Sequence, residues 1–565
     1  MLHASDSFPS HWVLLLEAAL VIAGLVAGAA GWRPLAASGG AAMRALGAAG
    51  RRPAVSLLAL ALATALFLAL HTAIAGAPLP RVVDEWSYLL ASDTFAHNRL
   101  ANPAHPMGLH FEADHVLQRP TYASKYPPAQ GFVLAIGQVA CGHPVAGLWL
   151  AAALLVAASG WMLLGWVPAR WAILGAVLVA LRLGAGSYWS QSYWGGTVAA
   201  IGGALVIGAA RRLFRTVRAR EAAALAAGLA LLATSRPYEG LLASLPAAAL
   251  LVCGLAAGRL RPQPWRRLVL PVAFLLAATI AGITALNRSV TGDPLVFPHS
   301  LYDRTHGVEP VFLWQPRDER ARAPGRGSSE SAETARLGPP AEERPPAGRW
   351  REPRSSGWHR ASVTLHFFLG LPGALPIFLT PVLLRQRWTW FAAATFLAVA
   401  AGHFLIYPWW PHYSAPALGA LLVLAVQGQR RLYALRRSST RDARACGQAL
   451  FGAACAIQLI VFAAQVPAHR ADLTDPSRQR ARLAWEFEHR AGDHLLLVAY
   501  PPGRGNDWTY NSADIDGAKV VWANDLGDSA NAELLRYYPA RTVWRIEAPF
   551  TAADPVPRLL RPAID

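Results

Sequence analysis

The chain has 565 residues, of which 54% are hydrophobic and only 15% are charged, and its formal net charge is +18. This composition excludes an ordinary soluble protein, a fibrous repeat and a chain that is disordered throughout. The basic residues stand in short clusters beside apolar runs, where they indicate membrane topology and predict no nucleic-acid partner.

Apolar segments recur along most of the chain, and a hydrocarbon core about 30 Å thick needs roughly 20 apolar residues per helix. Placing the basic clusters in the cytoplasm predicts an all-α polytopic membrane protein with twelve spans, at 12–30, 54–76, 145–166, 171–186, 196–211, 222–235, 240–257, 268–286, 362–384, 388–407, 413–428 and 446–466. The apolar stretch 129–141 is shorter than a span, which predicts a re-entrant or partly spanning segment. The first apolar run precedes its basic residues, so we expect a retained helix rather than a cleaved signal peptide.

This topology divides the chain into three predicted domains. Residues 1–53 form an extra transmembrane helix and a basic cytoplasmic loop, residues 54–466 form the main transmembrane domain, and residues 467–565 form a small periplasmic α/β domain. The main domain includes a first outward loop, 77–127, and a Pro-, Arg- and Ser-rich insertion, 317–356, which is predicted to be disordered. Basic residues are almost all Arg, which is typical of a GC-rich bacterial genome and predicts the bacterial inner membrane.

The first outward loop carries the residues best suited to chemistry. Asp84 and Glu85 stand side by side near its start, at the mouth of a predicted membrane helix. A carboxylate there can act as a general base towards an attacking hydroxyl; the alternative is a solvated helix end. Lys125 closes the loop, and an ammonium at the membrane surface suits a lipid-linked phosphate. The alternative for Lys125 is a snorkelling side chain.

The Asp-Glu pair, the return Lys125-Tyr126-Pro127-Pro128, and the alternation of spans with a C-terminal outward domain resemble the GT-C glycosyltransferases. The likeness is greatest to the branch of protein O-mannosyltransferases and aminoarabinose transferases, and it covers roughly residues 54–466. The resemblance implies an inverting transferase that uses a polyprenyl-phosphate sugar. It implies that Asp84 is the catalytic base, Glu85 its acidic neighbour and Lys125 a ligand of the donor phosphate.

One part of the family pattern is missing from this chain. Many family members carry a further acid in the next outward loop, but the segment 186–197 has none. A metal bridged by paired acids is therefore not favoured, and no cofactor is predicted. Glu239 is the nearest replacement, and Arg236 beside it can pair with the donor phosphate. The alternative is a structural contact between Arg236 and Glu239.

Further polar residues receive less weight. Tyr126, His412 and Tyr413 are candidate substrate contacts, although aromatic residues at a membrane boundary also serve as anchors. The loop histidines lack the spacing of a zinc site; they are His97, His105, His110 and His115. Glu17 lies near the outward end of the first span, where solvation accounts for it.

Two other functions remain open at this point. A polytopic transporter or flippase of a lipid-linked precursor also fits a dozen spans with Gly and Pro breaks, but it predicts ionisable residues in mid-span and two similar halves. A scaffold role for residues 467–565 would leave Asp84, Glu85 and Lys125 unexplained. Neither the sugar nor the acceptor can be identified from the residues.

Overall fold

The computed structural model describes residues 11–258, 266–306, 311–314, 357–386, 388–406, 409–435, 440–465, 476–500, 508–548 and 556–562. The insertion predicted at 317–356 lies outside the described residues. Helices dominate the first half of the chain: α1 His11–Ala29, α2 Arg33–Ala49, α3 Pro53–Ala75, α4 Val83–Ala96, α5 Pro128–Cys141, α6 Val145–Leu164, α7 Ala169–Val179, α8 Thr197–Leu213, α9 Ala219–Ala233 and α10 Pro237–Ala256. They continue in the second half: α11 Arg266–Thr291, α12 Pro298–His306, α13 Gly357–Ala374, α14 Thr380–Leu383, α15 Thr389–Gly402, α16 Leu418–Ala434, α17 Arg441–Gln465, α18 Pro476–His489 and α19 Asp528–Tyr537.

The predicted helical membrane fold is present, but the count of twelve spans is not confirmed. Among the described residues, six segments are long and apolar enough to cross a membrane: Pro53–Ala75, Val145–Leu164, Pro237–Ala256, Arg266–Thr291, Gly357–Leu383 and Asp442–Gln465. A seventh is added if α1 and α2, which meet at 96°, count as one broken span. The other predicted spans contain helices that are shorter, such as α7 with 11 residues. Helix α5, with 14 residues, is likewise shorter than these spans.

Helix α2 replaces part of the basic loop expected before residue 53. It packs closely against α17, because both helices carry glycine where they cross. A Cβ atom on Gly39 would lie 2.1 Å from the carbonyl oxygen of Gln448 and 2.9 Å from the nitrogen of Gly452. Small residues are what allow helix backbones to approach this closely in membranes.

Glu17 was expected to be solvated, and that expectation is wrong. Its side chain is fully buried in α1 and faces two other parts of the bundle. Oε2 lies 2.6 Å from Nε2 of His366 in α13, and Oε1 lies 3.8 Å from Nη1 of Arg182, in a π-helical turn at Ala180–Gly184. Oε1 also accepts the backbone N–H of Leu371 at 2.9 Å. A charge inside a bilayer requires such partners, so Glu17 joins the N-terminal helix to the bundle.

Two small sheets lie outside the helical bundle. The first outward loop forms an antiparallel sheet in the order β1-β3-β2, from β1 Asn102–Pro103, β2 Val116–Leu117 and β3 Thr121–Ser124. The C-terminal domain forms a sheet in the order β5-β4-β6-β7, from β4 His494–Ala499, β5 Val520–Asn524, β6 Thr542–Glu547 and β7 Arg558–Arg561. Strand β4 is parallel to β5 and β6, and β7 is antiparallel to β6.

The C-terminal domain packs against the first outward loop. One apolar core contains buried side chains from both: Leu90, Phe111, Val116 and Tyr122 from the loop, and Leu495, Leu497, Tyr510, Val521, Leu534 and Val543 from the domain. Hydrogen bonds cross the same boundary, as where Asp93 accepts the N–H of Ala513 at 2.7 Å and Asn524 donates to the carbonyl of Glu112 at 2.9 Å. The domain therefore covers the loop that carries the candidate base.

Candidate active site

Glu85 fixes the start of the helix on which Asp84 stands. Its Oε1 accepts the backbone N–H groups of Arg81 at 2.9 Å and Val82 at 3.3 Å, which an acid in the first turn of a helix is well placed to do. Its Oε2 accepts the N–H of Tyr193 at 2.8 Å, in the next outward loop. Burial raises the pKa of Glu85, although these backbone N–H groups oppose the rise. Glu85 is 2% exposed, so its carboxylate oxygens accept hydrogen bonds from backbone groups rather than from a bound molecule.

Asp84, the adjacent residue, has a different environment. Its Oδ1 accepts a hydrogen bond from the Tyr126 hydroxyl and lies 3.4 Å from Nδ1 of His115. Burial by itself would raise the pKa of Asp84, but His115, Tyr126 and the charge of Lys125 together lower it. The side chain keeps 21% of its surface exposed. Asp84 is therefore an ionised carboxylate that a substrate can reach.

Lys125 lies on the same side of the loop as Asp84. Its Nζ stands 4.3 Å from the ring centre of Tyr302, in α12, and 5.5 Å from that of Tyr126. Burial lowers the pKa of Lys125, while Asp303, Asp84 and Asp114 counteract the shift. The ammonium group is thus set among aromatic rings and carboxylates, where it can meet an anion beside Asp84.

A second group of predicted residues gathers where the start of α10 meets the helical turn Pro411–Ala417, just before α16. Arg236 Nη1 lies 3.6 Å from Oε1 of Glu239, and the guanidinium stands 4.2 Å from the ring centre of Tyr413. His412 is fully buried, and its Nδ1 lies 2.7 Å from the hydroxyl of Tyr188. Within the part of the chain that the structure describes, Nε2 of His412 is buried without a hydrogen-bond partner. An unsatisfied buried nitrogen is costly and calls for an explanation such as a bound molecule.

Two tyrosines join this group to Asp84. Tyr88 stacks on Tyr126 with ring centres 4.7 Å apart and interacts electrostatically with both Asp84 and Arg236. Tyr413 interacts in the same way with Arg236, Glu239 and Asp84. The structure therefore brings the predicted residues of both groups into one polar cluster, with Glu85 turned away from it.

Several members of the cluster were not predicted from the sequence. His115 contacts Asp84 from later in the same loop, and Tyr302 contacts Lys125 from α12, but neither has a sequence spacing that indicates these contacts. The one sequence feature that pointed to His115 was its place in the same loop as Asp84 and Lys125. The loop histidines do not converge: His105 pairs with Asp516 at 3.1 Å, and His97 lies against its own helix. Across the described ranges, no three His, Cys, Asp or Glu side chains are placed to hold a metal ion.

The C-terminal domain reaches the Asp84 helix through Arg480, in α18. The guanidinium of Arg480 lies 4.0 Å from the ring centre of Trp86 and 4.5 Å from that of Trp522. It donates hydrogen bonds to the carbonyls of Trp508 at 2.9 Å and Tyr510 at 2.8 Å. The ring of Tyr510 stacks on Trp86 in turn, with centres 5.2 Å apart. Trp86, two residues after Asp84, is thus held by the domain.

No family model and no curated protein sequence matches the chain. Among solved structures, ArnT from Cupriavidus metallidurans bound to undecaprenyl phosphate superimposes with a TM-score of 0.51 at 12% identity, over 87% of this chain and 93% of that one. Its apo form gives a TM-score of 0.50 at 14% identity, over 88% and 93%.

The oligosaccharyltransferase of Archaeoglobus fulgidus, also in its apo form, matches with a TM-score of 0.42 at 13% identity, over 78% of this chain and 58% of that one. Identities this low establish a shared fold and nothing finer. The resemblance predicted from the residues is confirmed at that level, and the chain has the fold of ArnT over most of its length.

Proposed function

We propose that the protein is an inverting glycosyltransferase that moves a sugar from a polyprenyl-phosphate donor to an acceptor at the periplasmic face of the bacterial inner membrane. The observation that carries the proposal is the pairing of a reachable, ionised Asp84 with the nearby cation of Lys125. The shared fold with ArnT, whose solved structure contains undecaprenyl phosphate, supports a lipid-linked phosphate as the donor.

The proposed reaction is a single displacement. The acceptor hydroxyl oxygen attacks the anomeric carbon of the sugar, and Asp84 takes the hydroxyl proton. The bond between the anomeric carbon and the phosphate oxygen breaks, and its electron pair stays on the phosphate. Lys125 and Arg236 stabilise the charge that grows there, which lowers the barrier more than it strengthens ground-state binding.

The remaining residues of the cluster position the reactants. We propose that Nε2 of His412 forms a hydrogen bond with the polyprenyl-phosphate sugar, because this buried nitrogen otherwise has no partner among the described residues. The ring of Tyr413 packs against the guanidinium of Arg236, and the hydroxyl of Tyr126 donates to Asp84. Glu239 orients Arg236. Glu85 acts on the backbone, holding the Asp84 helix to the next outward loop. None of these roles requires a bound metal or cofactor.

The buried ionisable residues Glu17, Arg182 and His366 bear on the transporter alternative, which predicts ionisable residues within spans. These three side chains pair with one another, and Glu17 is fully buried. We therefore assign them to the cohesion of the bundle rather than to a transport pathway.

The experiment uses the purified full chain in nanodiscs with polyprenyl-phosphate sugars and follows release of polyprenyl phosphate. Asp84→Asn keeps the size and an acceptor oxygen for Tyr126 but removes basicity, so turnover should fall about 100- to 10,000-fold with donor binding retained. Asp514→Asn, an exposed change in the C-terminal domain, is the matched control. Equal turnover of Asp84→Asn and wild type would refute Asp84 as the base, and movement of the lipid without cleavage would favour a flippase.

A further inference from the structure

His115 has an unusual backbone conformation beside the candidate base. Its φ is +66°, and Asn98 is the other non-glycine residue with positive φ in the described ranges. This region is strained for most side chains, and such strain persists only where the surroundings hold it in place.

Three elements fix the backbone of His115. Its N–H donates to the hydroxyl of Tyr302, in α12, at 2.9 Å. Its carbonyl accepts the hydroxyl of Ser87, in α4, at 2.7 Å and the N–H of Lys125, just after β3, at 3.3 Å. Both backbone groups are therefore satisfied, and the imidazole has a defined direction.

That direction is towards Asp84. Nδ1 of His115 lies 2.9 Å from the Tyr126 hydroxyl oxygen and 3.4 Å from Oδ1 of Asp84. A hydroxyl has one proton, and Tyr126 donates it to the carboxylate, which can only accept. His115 must therefore carry a proton on Nδ1 and donate it to this pair.

We propose that His115 is a positioning residue for Asp84: its Nδ1–H, acting on Tyr126 and on Oδ1, holds the carboxylate so that Oδ2 meets the acceptor hydroxyl. This inference rests on the proposed function. Among the described residues, Tyr126 and His115 both contact Oδ1 and none is seen to contact Oδ2, so the proton taken from the acceptor is assigned to Oδ2, while the proton of His115 stays on Nδ1. The strained backbone is what brings Nδ1 within reach.

Two substitutions separate the side chain from the backbone. His115→Gly accepts a positive φ without strain but removes the imidazole. His115→Asn also tolerates this conformation, and its side-chain amide keeps a donor near the place of Nδ1. His97→Asn is the matched control, since His97 lies in the same loop with 58% of its side chain exposed.

We expect His115→Gly to lower kcat about 10- to 100-fold, the effect of losing a hydrogen bond to a charged group, with KM for the donor nearly unchanged. His115→Asn should recover most of this loss. In an Asp84→Asn background, His115→Gly should have little further effect, because the two residues act as one unit. Full activity of His115→Gly, or no recovery in His115→Asn, would overturn the inference.

A second measurement does not depend on turnover. Thermal unfolding of wild type, Asp84→Asn, His115→Gly and the double variant forms a cycle, and the inference requires the effects on the midpoint to be non-additive. Additive effects would overturn the link between His115 and Asp84 even if the wild type cleaves the donor. A wild type that cleaves no donor, with the cycle still non-additive, would instead overturn the proposed function and leave the contact intact.

Discussion

Arg480 should be the residue through which the C-terminal domain stabilises the helix that carries Asp84. The perturbation is Arg480→Ala. It removes two charged hydrogen bonds, to the carbonyls of Trp508 and Tyr510, and the stacking of the guanidinium on Trp86 and Trp522. Arg480 is 7% exposed, so water compensates poorly for what is lost.

The magnitude follows from these contacts. A hydrogen bond from a charged donor contributes about 1.5–3 kcal/mol, and a cation–π contact about 0.5–2 kcal/mol. Such terms do not add fully, and Arg480→Ala leaves no charge among the described residues unpaired, so the total lies near the lower end of their sum, about 4 kcal/mol. We expect a loss of that size in the local free energy of unfolding. Arg490→Ala is the control. The Arg490 side chain is 40% exposed, so its pair with Glu486 and its contacts with the rings of Phe487 and Trp544 are each worth only about 0–1 kcal/mol.

Hydrogen exchange in nanodiscs measures this loss region by region. Protection should fall in β5, within the domain, and also in α4, which the domain reaches only through side chains such as Trp86. A drop in protection equal to that of Arg490→Ala, or one confined to the C-terminal domain with α4 unchanged, would refute the reasoning. Turnover should fall together with the protection of α4.

Three further predictions concern single charges. Lys125→Ala should weaken donor binding and lower turnover by at least about 10-fold in the polyprenyl-phosphate assay, since it removes a charged partner of the phosphate. The control is Lys519→Ala, which removes an ammonium that donates to the carbonyl of Glu488 and should leave both binding and turnover unchanged. Folding lowers the pKa of Asp84 below its ordinary value of 3.8. The contacts of the Asp84 carboxylate therefore contribute their full stability above pH 3.8, and this contribution is lost as the pH falls through the folded-state pKa. The difference in unfolding midpoint between wild type and Asp84→Asn should therefore stay constant from about pH 7 to about pH 5 and shrink only below about pH 4; a change near neutral pH would contradict this sign. Glu17→Gln leaves Arg182 without its charge partner and should lower the stability of the bundle by about 3–5 kcal/mol in thermal unfolding, whereas Glu488→Gln, at an exposed position, should not.

The sequence alone determined that this is a helical membrane protein and singled out the loop that carries the candidate site. Runs of apolar residues as long as a bilayer is thick predicted a helical membrane fold, because lipid leaves the backbone no other way to satisfy its polar groups. The Asp84-Glu85 pair and Lys125, the one lysine of the loop, pointed to one outward loop, since charge at a membrane boundary is costly without a use. The count of twelve spans is not confirmed, because short helices such as α7 and the bent pair α1 and α2 carry the same apolar signal as full spans.

Only the tertiary structure decided which residues meet. Asp84 and Glu85 are adjacent in sequence, yet one faces Tyr126 and His115 while the other binds backbone groups, because consecutive residues of a helix point in different directions. His115, from later in the same loop, and Tyr302, from α12, join the cluster only through tertiary folding, which no local pattern records. The burial of Glu17 against Arg182 and His366 has the same origin: local composition predicts where a helix lies, whereas its charge partners depend on which helices pack together.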